Sequence, residues 1–491
     1  MIAQAESVVT SQRIPLGRRI KAKPRVGFKQ ARTNGVEGRP NEVLLDRLPA
    51  EQNPVTKRSR PLIYAPLEKH MLTIAPTGAG KFRSVLVPEL LTYPGPIVCL
   101  DIKGEAYAVT ARRRREMGHR VVRLDPFHVV GPSTDSLNFF DLFSLKNADL
   151  ETDAQMIASI LSDGSSLSRD PFWDISARGL VAGCIVYLAH HRDKADQILK
   201  SLRELVYADD TDYKLAVLLD TIKTMHPLAR GEIAAYLSMP DRETRPSVLA
   251  TVRSYFKALF SQRVESAFSQ STFSLCSLAD SEPMTIYLVV PPNKLESHRR
   301  MIRLWVTTLM AAITARRHIP DIATLFLIDE ASQLGNFPPM VQAITLGRGY
   351  GVRVHSFWQD LSQLMLCYPT EWRTVINNCG VKQIFGMTDP FMAHGLDELF
   401  QVPMKELTSL TNKQQWLLRN GMTQKAGKMD YLRDAEFAGL FDANPYHGGS
   451  WPNVASPEIP HPPADDVCLR DVAEQSRGGD SEDKEKGASH G

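Results

Sequence analysis

The chain has 491 residues, 43% hydrophobic and 23% charged, with a formal net charge of +3, a globular composition with length for two or three domains and an ample core. Its six cysteines, Cys99, Cys184, Cys276, Cys367, Cys379 and Cys468, show no C-x-x-C pairing and no metal-ligand rhythm with histidine, which argues against a zinc site and fits a reduced cytosolic compartment. No window reads as the roughly 18 apolar residues of a membrane span, and the polar, basic first thirty residues lack the apolar segment of a signal peptide, so any membrane association is expected to be peripheral or through partners.

Residues 1–60 carry 13 Lys/Arg against 5 Asp/Glu without apolar periodicity. They read as a largely irregular basic arm, suited to touch nucleic acid or an anionic membrane surface; the alternative is a solvated tail. A strand is predicted at 69–74 and runs directly into Ala75-Pro76-Thr77-Gly78-Ala79-Gly80-Lys81. Small residues let successive backbone N–H groups curl around a phosphate, a lysine reaches the β/γ oxygens, and a helix N-terminus, predicted over 83–91, lies beneath the anion. Pro76, Thr77, Gly78, Ala79, Gly80, Lys81 and Phe82 thus form a candidate ATP-binding loop. Two departures from G-x-x-x-x-G-K-S/T stand at its edges. Ala75 replaces the first glycine, which is tolerable if no positive φ is needed there, and Phe82 replaces the hydroxyl that normally helps hold Mg²⁺, leaving Ser84 as a neighbouring candidate.

A second strand at 97–101, a helix from about 105 to 117 and a third strand at 120–124 complete a βαβ series, hence a parallel sheet. Ligands gather at the carboxyl ends of such strands, which is where Asp101, Lys103 and Glu105 fall; Asp101 is a candidate nucleotide-site residue, the alternative being a helix cap and turn. Residues 149–268 change to helical periodicity, with helices predicted at 151–161, 171–190, 195–206, 212–225 and 244–268, and with Phe172 and Trp173 expected to anchor their core. The sheet resumes at 284–290. A helix over 294–318 leads to a strand ending in Asp329-Glu330, and an apolar strand that ends in two carboxylates suits a site with cations. Asp329 is the candidate Mg²⁺ residue and Glu330 the candidate that polarises the attacking water; capping the next helix is the alternative. Beyond a turn, Gly347-Arg348-Gly349-Tyr350-Gly351, a strand at 352–358 delivers Gln359, a candidate sensor of the γ-phosphate, or else a turn residue. Arg348 suits a charge reaching across a subunit interface to a neighbour's phosphates, or is a surface arginine. A last core strand is predicted at 382–386 and an edge hairpin from 416–418 and 429–432. The expected organisation is an N-terminal arm (1–60), a nucleotide-binding domain in two parts (61–148 and 281–446), an inserted all-α domain (149–280) and a disordered acidic tail (447–491).

Taken with Asp101-Ile102-Lys103-Gly104-Glu105, Phe172-Trp173, Ser247–Arg253, Leu288-Val289-Val290-Pro291-Pro292, Leu327-Ile328-Asp329-Glu330, Leu346–Gly351 and Gln359–Leu364, the phosphate loop makes residues 61–446 resemble the TraG-type coupling proteins of bacterial type IV secretion and conjugation. The resemblance implies an α/β fold, a RecA-like P-loop NTPase with a mainly parallel sheet and an inserted all-α domain, assembled as a homo-hexameric ring at the cytoplasmic face of the inner membrane. It also implies ATP and Mg²⁺ as ligands, and a role in bringing a relaxase-bound single DNA strand, or an effector protein, to the secretion channel. Members typically begin with transmembrane helices, and none is expected here.

Overall fold

The computed structural model describes residues 13–19, 62–66, 69–162, 170–386, 393–419 and 421–452. Most of the expected basic arm and the acidic tail from residue 453 onward lie outside them.

One sheet of 11 strands organises the molecule. In chain order these are β1 (Arg13–Arg19), β2 (Leu62–Pro66), β3 (His70–Ile74), β4 (Ile97–Asp101), β5 (Arg120–Leu124), β6 (Met284–Val289), β7 (Thr324–Ile328), β8 (Val352–Trp358), β9 (Cys379–Phe385), β10 (Gln414–Arg419) and β11 (Met422–Gly427). Their order across the sheet is β2-β1-β11-β10-β9-β3-β8-β7-β4-β6-β5. From β9 to β5 every neighbouring pair is parallel; β10, β11, β1 and β2 continue the sheet as an antiparallel edge. β3, β4, β6, β7 and β8 are buried at every position, as expected of parallel strands covered on both faces; β4, β6 and β7 are mostly apolar, while β3 and β8 also bury polar side chains such as Thr73 and His355. Loops that follow these strands all emerge at one end of the sheet, and the loops that precede them at the other.

Helices Leu150–Ser162, Phe172–His191, Leu199–Val206, Thr211–Thr221, Pro227–Leu237 and Thr244–Phe256 fall between β5 and β6. The longest, Phe172–His191, is packed by Leu150–Ser162, Pro227–Leu237 and Thr244–Phe256. Contrary to the sequence expectation, this helix is long and apolar enough to cross a membrane, with a mean hydropathy of 1.3 over a window that is 56% buried. Its apolar residues serve the packed helical core: Leu180, Val181, Cys184, Ile185 and Val186 are at most 1% exposed.

Several other expectations are corrected. Phe172 does not anchor the helical core; it is 42% exposed at the helix tip, edge to face with Trp173. Pro227–Leu237, unassigned from sequence, is a helix that starts with Pro at its first turn and is capped by the His226 side chain. Residues 13–19 of the arm pair as a strand with β2 and β11. The edge hairpin joins β10 to β11 and not to 429–432, because Met429 and Tyr431 are buried against Val87, Leu91 and Val109 on helices.

Beneath β3 a buried polar chain crosses four strands. Glu89, on helix Val87–Thr92, meets His355 Nδ1 at 2.9 Å. His355 Nε2 lies 2.8 Å from Thr73 Oγ1, Thr73 Oγ1 donates to Gln383 Oε1 at 2.8 Å, and Gln383 Nε2 donates to Gln415 Oε1 at 3.2 Å. Glu89 and His355 are both 0% exposed, so each depends on its partner for polar satisfaction. His355→Leu is therefore expected to destabilise the fold by about 3 kcal/mol, and adding Glu89→Leu to recover part of that loss, because an orphaned buried carboxyl costs more than an absent pair. Denaturant unfolding of the two variants measures both.

Candidate nucleotide-binding site

The site is built where β3, β7 and β8 end. β3 pairs with β8, and β8 with β7, so residues far apart in the chain finish at one edge. The Ala75 N–H donates to the Trp358 carbonyl at 2.8 Å, tying the start of the loop to the end of β8. Gly78 and Gly80 have φ of +78° and +88°; both are left-handed, which glycine adopts without strain and other residues rarely do. A Cβ added at Gly78 would meet nothing within 4 Å, so the cradle is open on that side. The loop passes at Lys81 into Phe82–Leu86, a π-helical turn closed by the Val87 N–H on the Phe82 carbonyl, and then into helix Val87–Thr92. Such turns recur at functional sites. Ser84 is buried beneath Gly80, its Oγ 3.8 Å from where a Gly80 Cβ would stand.

Lys81 is the hub. Its Nζ lies 3.1 Å from Asp329 Oδ1 and bonds Glu330 Oε1, although 249 positions separate Lys81 from Glu330. Gln359 Nε2 donates to Glu330 Oε2 at 3.0 Å. Lys81, Asp329, Glu330 and Gln359 thus form one contiguous cluster. Glu330 sits at φ +52°, ψ +56°, a left-handed conformation costing a non-glycine residue about 1 kcal/mol or more; the turn aims its carboxylate back toward Lys81.

Asp101 ends β4 beside β7, since Leu100 pairs with Ile328. Its carboxylate is buried and accepts the Tyr107 N–H at 2.8 Å, so the cap reading holds. Burial pushes Asp101 up to about 7, opposed by backbone N–H bonds and reinforced by nearby Asp329. Asp329 is itself raised, by burial first and by Glu330, with Lys81 opposing. Two neighbouring carboxyls held above their ordinary range are groups that an added cation would stabilise in the charged form, although among the described residues no cluster of three or more His, Cys, Asp or Glu side chains is arranged to hold a metal ion and Phe82 supplies no hydroxyl.

Arg348 is not brought to this cluster. It lies in the turn Gly347–Tyr350 that precedes β8, at the opposite end of the parallel sheet, a strand's length of roughly 20 Å from Gln359. Asp360, next to Gln359, caps helix Leu361–Cys367 by accepting the Gln363 N–H at 2.8 Å. Lys428 and Asp430, unflagged by sequence, reach the loop: Lys428 Nζ donates to the Ala79 carbonyl at 2.6 Å, and Arg83 Nη2 donates to Asp430 Oδ2 at 2.6 Å.

Sheet order, loop and acidic strand end together define a RecA-like P-loop NTPase fold. A family model described as "Type IV secretory system Conjugative DNA transfer" matches residues 26–398, and the chain belongs to that family. It is 26% identical over 312 residues to "Conjugal transfer protein TraG" of Escherichia coli, covering 60% of this chain and 49% of that protein. It is 26% identical over 335 residues to "Protein VirD4" of Rhizobium radiobacter, covering 66% and 46%. The chain thus spans about half the length of these curated relatives. Among solved structures, the plasmid coupling protein TrwB in complex with ADP and Mg²⁺ superposes with a TM-score of 0.59 at 18% identity, over 74% of this chain and 86% of that one, a likeness of fold.

Proposed function

We propose that the chain is an ATP-hydrolysing coupling protein of type IV secretion, which recruits a relaxase–DNA complex or an effector protein and uses hydrolysis to help move it to the secretion channel. The observation that carries the reading is the convergence of Lys81 with Asp329, Glu330 and Gln359. ATP is the substrate of this site. The loop from Pro76 to Phe82 binds its phosphates through N–H groups, and Lys81 offsets charge on the β/γ oxygens. Glu330 accepts a proton from the attacking water, and Gln359, already bonded to Glu330, orients that water or reads the γ-phosphate. Asp329, with Asp101 behind it, would hold Mg²⁺, which when bound neutralises charge between the β- and γ-phosphates. Arg348, remote within the protomer, takes its role across a subunit interface of a homo-hexamer. The chain works at the cytoplasmic face of the inner membrane, held there through its partners.

The test is Mg²⁺-dependent phosphate release by purified protein with and without single-stranded DNA. The expected result is turnover that single-stranded DNA stimulates severalfold. The contrary result is binding of relaxase or effector with no phosphate released at any Mg²⁺ concentration; a non-hydrolysing docking adaptor, to which the Phe82 substitution lends support, would then be the better reading.

A further inference from the structure

Residues 428–431 lie against the phosphate loop at Ala79 and against the turn that follows it at Arg83. Lys428 Nζ donates to the Ala79 carbonyl at 2.6 Å across 349 positions of sequence. Asp430 pairs with Arg83, and the Tyr431 N–H faces the Arg83 carbonyl at 3.5 Å. Met429 and Tyr431 are buried in a cluster with Val87, Leu91 and Val109, against which Phe82 packs. Phe82 therefore has a physical use of its own. Where the usual motif places a hydroxyl, this chain places an apolar anchor for a crossing segment.

A phosphate cradle works when its N–H groups face inward, which turns carbonyls outward. An outward carbonyl with no partner lets the peptide plane rotate. Here the Ala79 carbonyl, between the two left-handed glycines, is taken by an ammonium group that also lies over the Phe385 ring, 4.3 Å from centroid to Nζ. Desolvation at this place brings Lys428 down to about 8, a cost that a surface lysine avoids by facing water.

We propose that Lys428 is a positioning residue for nucleotide binding: it fixes the Ala79 peptide so that the loop's N–H groups face the phosphates, while Asp430 and Phe82 hold the segment that carries it. The proposal rests on the reading of residues 75–81 as the phosphate loop. It acts on ground state and transition state alike, so it predicts an effect on affinity and not on the chemical step.

The experiment measures fluorescent-ADP affinity and steady-state ATP turnover for the full chain as wild type, Lys428→Met, Lys428→Arg, Asp430→Asn and Lys81→Ala. Lys428→Met should weaken ADP binding and raise KM about tenfold, with kcat within about twofold of wild type. Lys428→Arg, which keeps a charged donor, should restore affinity to within about threefold. Asp430→Asn leaves Lys428 in place and weakens the half-buried pair with Arg83 that holds the segment, so it should weaken ADP binding about threefold and serves if Lys428→Met does not fold. Wild-type ADP affinity in folded Lys428→Met, wild-type affinity in Asp430→Asn where Lys428→Met does not fold, or a loss in Lys428→Met that arginine does not rescue, overturns the proposal. If Lys81→Ala also leaves ADP binding unchanged, the loop assignment itself fails, and the two failures are thereby told apart.

Discussion

Lys81→Ala is expected to reduce ATP turnover by on the order of 10²-fold or more, the loss seen when one pre-placed stabiliser of transition-state charge is removed. The geometry gives the reason. The ammonium lies on both Asp329 and Glu330, so alanine deletes the cation that faces the phosphates and also leaves two carboxylates without their shared partner. Lys81 is what opposes the upward shift of Asp329, and in its absence that carboxyl rises further. Mg²⁺-dependence of the residual activity should accordingly move to higher pH, because a protonated Asp329 offers the ion nothing and must lose its proton first. Phosphate-release assays across pH check both effects; turnover within a few-fold of wild type in folded Lys81→Ala removes the loop from the mechanism.

Glu330→Gln should separate binding from chemistry. The amide keeps an oxygen for Lys81 and nearly the same shape, so ADP affinity is expected to stay within a few-fold. With the proton acceptor gone, hydrolysis should slow by on the order of 10²-fold or more. A single-turnover measurement with pre-bound ATP reads this step directly, and a wild-type rate there places the base on another residue. Gln359 offers an internal comparison: its amide is bonded to Glu330 Oε2, and if it only orients water, Gln359→Ala should cost less than Glu330→Gln.

The parallel half of the sheet was legible because its strands are buried on both faces. Burial on both faces favours apolar runs such as residues 97–100 and 325–328, and those runs stand out against the polar turns that bound them. Lys81, Asp329, Glu330 and Gln359 were legible for a related reason. Each follows a predicted strand in a parallel sheet, and the carboxyl ends of such strands share one edge. The same rule bears on Arg348, which precedes its strand and so belongs to the opposite edge; the signal was present in strand polarity alone.

Other features left no such trace. β1, Arg-Ile-Pro-Leu-Gly-Arg-Arg, and β11, Met-Thr-Gln-Lys-Ala-Gly, belong to the antiparallel end of the sheet, and their positions are set by pairing and not by apolar alternation. Met429 and Tyr431 looked like strand residues because they are apolar, but their partners are on helices. The contact of Lys428 with Ala79 is a pure product of tertiary folding, and the left-handed turn at Glu330 has no sequence marker, since glycine would be the expected residue there.

The most direct measurement of the central claim is a crystal structure of the chain with Mg²⁺ and a non-hydrolysable ATP analogue. The account predicts a γ-phosphate within hydrogen-bond reach of Lys81 Nζ, with Asp329, Glu330 and Gln359 lining the same cleft. Nucleotide bound away from residues 75–81, or bound while Lys81 stays on its two carboxylates and touches no phosphate, contradicts it.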